Sequence, residues 1–112
     1  MTRKARARKH SFIVVWEFRV PVRQRRAFEK AYGPDGGWAR LFRTGEGYIG
    51  TELLRDQETP GRYLTIDYWM SKRAFINFKK QKRAEYEALD RNCAALTQRE
   101  KMLGEFESWE PS

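Results

Sequence analysis

Cysteine and histidine are nearly absent from this sequence. Cys93 is the only cysteine and His10 the only histidine among 112 residues. One cysteine cannot form an intramolecular disulfide, and the two residues together cannot supply the ligands of a structural zinc site or an iron–sulfur cluster. We therefore expect neither a disulfide nor a metal site.

Long apolar segments are also absent. The longest uncharged apolar run is Phe12–Trp16, whereas a helix that spans a bilayer needs about 20 apolar residues. The sequence also lacks the apolar stretch and small-residue cleavage site of a signal peptide. These absences predict a soluble, cytoplasmic protein that does not contact membranes.

Positive charge exceeds negative charge, and most of the excess lies near the N-terminus. The chain has 23 basic and 15 acidic residues, and the basic ones in residues 1–10 have no acid among them. Such a segment predicts a flexible basic tail, which is commonly a solubilising end and less often a nucleic-acid site. The seven Phe, five Tyr and four Trp all follow it. Because a disordered chain could not bury so many rings, we expect residues 11–112 to form one domain.

The spacing of apolar residues predicts four strands and two helical regions. The strands are expected at 11–20, 48–55, 62–70 and 101–109; in the last, Met102, Gly104 and Phe106 are expected on one face. The helical regions are 22–42, with a glycine-rich break at 33–37, and 72–96, where Lys82 interrupts the apolar stripe and predicts a joint. Ser71 is a suitable N-cap for the second region.

The order strand, helix, strand, strand, helix, strand is that of a ferredoxin-like α+β fold (βαββαβ) with an antiparallel sheet. Both helical regions then pack on one sheet face, because the crossovers are right-handed. The other face keeps an apolar row of the first strand, either Ile13 and Val15 or the row Phe12, Val14, Trp16 and Phe18. An exposed apolar row predicts an interface, and we expect a homodimer through the sheet face.

Four stretches carry a family resemblance: Phe28–Pro34, Gly37–Arg43, Gly47–Leu53 and Asp67–Ser71, the last followed by Ala74 and Phe75. Over about residues 11–109 the sequence resembles the antibiotic biosynthesis monooxygenase family of the dimeric α/β-barrel superfamily. The resemblance implies a homodimeric barrel with a cavity between each sheet and its helices. Some members oxidise polyketide-like aromatics with O₂ and no cofactor, and others degrade haem.

The haem-degrading branch of that family is not matched by this sequence. Its members use an asparagine on the first strand, a tryptophan in the helix after the third strand and a histidine farther along that helix. The corresponding residues here are Trp16, Phe78 and Ala88. The resemblance therefore implies no haem and, in the oxygenase branch, no cofactor.

Cofactor-free oxygenation requires a site that binds a flat, acidic aromatic, takes up or orients a proton and excludes water. Asp67 is the only acid in an otherwise uncharged stretch of the third strand, and it faces either the helix-side cavity or a basic partner across the sheet or dimer. Asp67 and Tyr86 are the candidate catalytic residues. The candidate ligand-binding residues are all aromatic: Tyr32, Trp38, Tyr48 and Trp69. We expect Trp38, Trp69 and Tyr86 to approach one another around one space.

Two other functions remain open beside a monooxygenase or a protein that binds a small aromatic molecule. A non-enzymatic homodimer would use the same aromatic residues as a filled core. An RNA-binding domain shares the order of strands and helices, but it needs a basic-glycine-aromatic motif on the third strand. The stretch Gly61–Ile66 does not match that motif, which makes nucleic-acid binding the least favoured function.

Overall fold

Four strands form one antiparallel sheet in the computed structural model, which describes residues 12–109 and 111. The strands, in the spatial order β2–β3–β1–β4, are β1 (Phe12–Arg19), β2 (Tyr48–Arg55), β3 (Arg62–Trp69) and β4 (Arg99–Glu107). The helices are α1 (Arg25–Tyr32), α2 (Gly37–Phe42), α3 (Lys72–Gln81) and α4 (Arg83–Cys93), with 3₁₀ turns at Val22–Gln24 and Ala94–Leu96. This order and pairing confirm the ferredoxin-like α+β fold. The predicted basic tail, residues 1–10, lies outside the described residues.

The second helical region is capped and jointed where the sequence predicts. The Ser71 hydroxyl accepts a hydrogen bond from the Ala74 amide at 3.1 Å and so caps α3. Lys82, with φ −113° and ψ 29°, separates α3 from α4. The longest helix, α4, has 11 residues, and no helix in the described part of the chain combines the length and apolarity needed to cross a membrane.

Gly36 allows the chain to turn sharply between α1 and α2. A Cβ atom at this position would lie 2.3 Å from the carbonyl oxygen of Ala31, a distance that no real contact tolerates. Only glycine therefore lets the chain pass so close to the end of α1 and start α2 at the next residue. The tight passage carries Trp38 and Phe42 of α2 into the layer between the helices and the sheet, where both are buried.

One sheet face carries the large buried side chains. The row Phe12, Val14, Trp16 and Phe18 of β1 lies opposite the row Trp69, Asp67, Thr65 and Tyr63 of β3. All of these residues except the partly exposed Trp16 are buried. The helices cover this face. Their aromatic rings contact those of β1: Phe75 of α3 packs against Phe12, and Phe28 of α1 packs against Phe18.

A β-bulge in β4 overturns the predicted alternation of that strand. Val15 of β1 pairs with Gly104, but the next residue, Trp16, pairs with Met102, so Leu103 is an extra residue. Met102 therefore shares the helix-side face with Trp16, whereas Gly104 and Phe106 lie on the opposite face. The expectation that all three share one face is wrong because a bulge shifts the face of every residue beyond it.

The opposite sheet face, called the open face below, is apolar at its centre and at both edges. Its apolar residues are Ile13, Val15, Leu54, Leu64, Ile66 and Phe106. Leu54 and Phe106, on the two edge strands, are 46% and 50% exposed. Of the two rows considered from the sequence, it is therefore Ile13 and Val15 that lie away from the helices.

Replacing Trp69 by alanine should strongly destabilise the fold. Trp69 has no exposed surface, and its ring centroid lies 5.2–5.7 Å from those of Phe42, Tyr48, Phe75 and Phe78. We expect Trp69→Ala to lower the free energy of unfolding by about 3–5 kcal/mol, measured by urea denaturation. Trp109→Ala is the matched control, since Trp109 is 81% exposed and should change stability by less than about 0.5 kcal/mol. Equal stabilities of the two variants would contradict this packing role.

Candidate functional site

A cavity of about 280 Å³ lies between the middle of the sheet and the helices. Its floor is formed by strand residues that include Val14, Trp16, Thr65 and Asp67. Its helical side chains include Trp38 of α2 and Tyr86 of α4. Such a space, mainly apolar with a few polar groups, has the character of a small-molecule site.

Two clusters of aromatic rings close the ends of this layer. At one end, Trp69 is surrounded by Phe42, Tyr48, Phe75 and Phe78. At the other end the packed rings are Phe18, Phe28, Tyr32 and Tyr63, with centroids 4.3–5.2 Å apart. Between the two clusters the strands carry Val14, Thr65 and Asp67 beside the partly exposed Trp16, and these residues leave the cavity unfilled.

Trp38 connects the two clusters across the top of the cavity. Its ring centroid lies 6.0 Å from that of Tyr32 and 5.9 Å from that of Phe42. It also meets the ring of Tyr86 edge-on at 5.1 Å. Trp38 and Tyr86 therefore form one aromatic wall that faces the strand residues.

Asp67 is the only buried acidic side chain in the described part of the chain, at 8% exposure. Its Oδ1 accepts a hydrogen bond from the Thr51 hydroxyl at 2.7 Å, and the hydroxyls of Thr51 and Tyr48 are 2.6 Å apart. Because Thr51 uses its single proton on Asp67, Tyr48 must donate to Thr51. The chain Tyr48 to Thr51 to Asp67 fixes one carboxylate oxygen, while Oδ2 has no hydrogen-bond partner among the described residues.

Burial raises the pKa of Asp67 to about 6, although the hydrogen bond from Thr51 opposes this shift. No basic side chain of the described residues forms an ion pair with it. Of the two orientations that the sequence left open, the structure places Asp67 in the helix-side cavity. It is therefore a carboxyl group that gains and loses its proton near neutral pH, in contact with a space that a ligand could enter.

The tyrosine hydroxyls of the cavity remain protonated at neutral pH. Burial, together with the nearby acids Asp90, Asp67 and Glu100, raises the pKa of Tyr86 to about 12. Burial also raises the pKa of Tyr32 and of Tyr48. The Tyr48 proton is already donated to Thr51. Tyr86 has no hydrogen bond to a described residue and can donate one to an oxygen of a ligand.

The structure brings four of the six predicted site residues to the cavity lining: Tyr32, Trp38, Asp67 and Tyr86. Tyr48 reaches the site through Thr51. Trp69 lies in the aromatic cluster behind Phe42 and is not among the lining residues, so the expected meeting of Trp38, Trp69 and Tyr86 is reduced to Trp38 with Tyr86.

Sequence reasoning missed further residues that line the cavity: Trp16, Thr51, Lys79, Asp90 and Glu100. Trp16 shares the alternating row of Phe12, Val14 and Phe18, and that row could have identified it. Glu100 reaches the helix side only because of the bulge in β4. Lys79 places its ammonium 5.0 Å from the ring centroid of Tyr86, a contact that no spacing pattern indicates.

A groove of about 370 Å³ on α3 and α4 adjoins the cavity. Lys79, Tyr86 and Asp90 line both spaces. The groove also carries the basic residues Lys80 and Arg83 and the acid Glu87. These shared residues mark the side on which the cavity meets the protein surface.

The sequence profile of the antibiotic biosynthesis monooxygenase family matches residues 11–89. Comparison with curated proteins gave no significant match. Solved structures share the fold at low sequence identity. SnoaB, a cofactor-independent oxygenase from Streptomyces nogalater, has 20% identity and a TM-score of 0.67, over 91% of this chain and 96% of that chain.

Two further structures extend this likeness. A Deinococcus radiodurans protein, named as a candidate antibiotic biosynthesis monooxygenase, has a TM-score of 0.71 at 14% identity, over 90% of this chain and 95% of its own. A conserved protein from Methanosarcina mazei has a TM-score of 0.67 at 10% identity, over 89% of this chain and 94% of its own. At these identities the likeness establishes the fold alone.

Replacing Asp67 by asparagine should stabilise the protein in a pH-dependent way. A pKa raised to about 6 in the folded state means that the folded protein holds this proton more tightly than the unfolded chain. The contribution of Asp67 to stability is therefore greatest below about pH 4 and is lost as the pH rises through 6. Asparagine can still accept the Thr51 hydrogen bond without carrying a charge. We expect Asp67→Asn to exceed the wild type by up to about 3 kcal/mol at pH 8 and to match it near pH 4.

Urea denaturation between pH 4 and pH 8 measures this difference. Glu46→Gln is the control, because Glu46 is exposed and should change stability little at any pH. A stability difference between Asp67→Asn and the wild type that does not grow with pH would contradict the burial of a titrating carboxyl group.

Proposed function

Because the chain belongs to the antibiotic biosynthesis monooxygenase family, we propose that it binds a small, flat aromatic molecule in the cavity and oxidises it with O₂ without a cofactor. The observation that carries the proposal is Asp67, a buried carboxylate with one free oxygen, on the floor of a cavity with aromatic walls. SnoaB, which shares the fold, is described as a cofactor-independent oxygenase.

Asp67 is suited to act as a general base. With a pKa of about 6 it is mostly ionised at pH 7 and yet basic enough to take a proton from an acidic phenol or quinol. The anion of a phenol passes one electron to O₂, and the substrate radical and superoxide then combine into a hydroperoxide. Asp67 returns its proton, and loss of water leaves a quinone, so that one oxygen atom of O₂ stays on the product and the other leaves as water. In this scheme the substrate supplies the electrons, and the protein supplies the base and the enclosed space.

Thr51 and Tyr48 act as positioning residues in this scheme. The bond from Thr51 holds Oδ1 of Asp67, and the bond from Tyr48 fixes the direction of the Thr51 hydroxyl. The free Oδ2 is then the atom that accepts the substrate proton. Tyr86, kept protonated by its raised pKa of about 12, donates a hydrogen bond to the oxygen on which negative charge develops.

Removal of the base should abolish turnover without abolishing binding. We expect Asp67→Asn to lower the rate of O₂ consumption with naphthols and quinols at least about 100-fold, while the compounds still raise its melting temperature.

Tyr86→Phe should keep the fold and lower the rate about 10-fold, since only one hydrogen bond is lost. The wild-type rate should rise with pH through about 6, because the base must be ionised.

The alternative is a non-enzymatic member of the family that only binds or only dimerises. If aromatic compounds raise the melting temperature but no O₂ consumption depends on Asp67, the protein is a binding protein. If none of these compounds shifts the melting temperature, the cavity is not an aromatic site and the proposal fails.

We further propose that the protein is a homodimer in the cytoplasm and that the open face forms its interface. The two central strands carry Ile13, Val15, Leu64 and Ile66 on that face. RNA-recognition domains use aromatic rings on their central strands to stack bases. On this face the central strands carry one ring, Tyr68, whose hydroxyl donates to Glu52, and the four aliphatic side chains beside it favour burial against protein instead. The cytoplasmic location stays a prediction from the sequence.

A charge on the open face should therefore separate the subunits. We expect the wild type to sediment as a dimer at micromolar concentration and Ile66→Asp to sediment as a monomer, because the new carboxylate would be buried in the interface. Ile76→Asp is the matched control, since Ile76 is 41% exposed on α3, away from the sheet. A wild-type monomer would overturn the proposed interface.

A further inference from the structure

Acidic side chains outnumber basic ones around the cavity. Asp67, Asp90 and Glu100 line it, and Lys79 is the only basic side chain among the described residues that do so. The whole chain has the opposite balance, with a formal net charge of +8. The negative charge is therefore specific to the cavity and does not follow from the composition.

The three carboxyl groups come from β3, α4 and β4 and act on the same region. All three raise the pKa of the Tyr86 hydroxyl, in addition to the larger effect of burial. Burial and the charge of Asp90 also raise the pKa of Glu100. Within the described residues none of the three forms an ion pair. The repulsion between Asp90 and Glu100 therefore has no ion-pair partner, and a bound cation would relieve it.

Asp67 also offers an unpartnered atom to the cavity. Its side chain is more than nine-tenths buried, and its Oδ2 has no hydrogen-bond partner among the described residues. The described His, Cys, Asp and Glu side chains include no group of three that is spaced to hold a metal ion. Asp90 and Glu100 therefore suit an organic cation, while the free Oδ2 of Asp67 is left to take a proton from the ligand.

The aromatic walls of the cavity favour the same kind of ligand. The faces of tryptophan and tyrosine rings attract cations, and Trp16, Trp38 and Tyr86 all line the space. Lys79 already shows this contact, with its ammonium 5.0 Å from the ring centroid of Tyr86. The basic side chains Lys80 and Arg83 lie in the outer groove, so an acidic group on the ligand would be placed outside the cavity.

From this arrangement we infer that the ligand is a cationic aromatic, a flat ring system that carries a protonated amine and binds with that amine toward Asp90 and Glu100. The inference rests on the proposed aromatic-binding function and adds the charge of the ligand to it. It also gives Glu100 and Asp90 a role in selecting the ligand, distinct from the proton transfer assigned to Asp67.

Three probes of similar shape and different charge test the inference: 1-naphthylmethylamine, 1-naphthylmethanol and 1-naphthoate. Their affinities for the full chain are measured by titration calorimetry at pH 7.5, where Asp67 is mostly ionised. We expect the amine to bind about 10-fold more tightly than the alcohol and the carboxylate to bind most weakly. The advantage of the amine should shrink in high salt, because Asp90 and Glu100 are exposed to solvent.

Single charge removals identify the groups responsible. Asp90→Asn and Glu100→Gln should each lower the affinity for the amine about two- to five-fold and leave the affinity for the alcohol within about two-fold. Glu85→Gln is the matched control, since Glu85 is an exposed acid of α4 that lines neither the cavity nor the groove. All three substitutions are at exposed positions and should leave the circular dichroism spectrum unchanged, which separates a loss of charge from a loss of fold.

The outcomes distinguish this inference from the function on which it rests. Equal affinities for the amine and the alcohol, or tightest binding of 1-naphthoate, would overturn the positive charge of the ligand and leave aromatic binding in place. Failure of all three probes to bind would overturn the aromatic-binding function and the inference with it.

Discussion

The packing of aromatic rings between the sheet and the helices is the constraint on which the rest of this structure depends. The rings form two clusters, one around Trp69 and one around Phe28, and each cluster fills one end of the layer. Rings of this size hold the helices away from the sheet along its whole length. Where the strands carry Val14, Thr65 and Asp67, with the partly exposed Trp16 as their one ring, the same separation leaves a space. The cavity therefore follows from how the core is built and needs no separate device to keep it open.

Asp67 shows what this arrangement costs and what it makes possible. A charged carboxyl group in a largely apolar layer disfavours folding, and the shift of its pKa to about 6 measures that penalty. An alanine or valine at this position would pack without the penalty. A residue that lowers stability without improving the packing of the core is typical of a functional group. Thr51 and Tyr48 also hold this carboxyl group in one orientation. The burial that weakens the fold is the same burial that brings the carboxyl pKa close to neutral pH.

The sequence predicts the fold much better than it predicts the site. Alternation in β1 and β3, the Ser71 cap and the joint at Lys82 depend on neighbours in the chain, and each lies where local pattern indicates. The site depends on pairs that are distant in the chain. The bond between Thr51 and Asp67 joins two strands, and no periodicity reveals it. Trp69 illustrates the same limit. Its aromatic ring and its position beside the helix cap are compatible with a cavity wall and with a core residue. It is a core residue because Phe42 packs against it.

The bulge in β4 links the two faces of the sheet and explains why the acidic side chain of Glu100 lies at the cavity. Without the extra residue Leu103, the alternation that places Gly104 and Phe106 on the open face would place Met102 there too, and Glu100 with it. With the bulge, Phe106 stays on the apolar open face while Met102 and Glu100 turn toward the helices. One inserted residue thus lets a single edge strand serve an apolar surface at one end and a charged cavity at the other. The bulge at Leu103 therefore separates the part of β4 that contributes to the apolar open face from the part that faces the cavity.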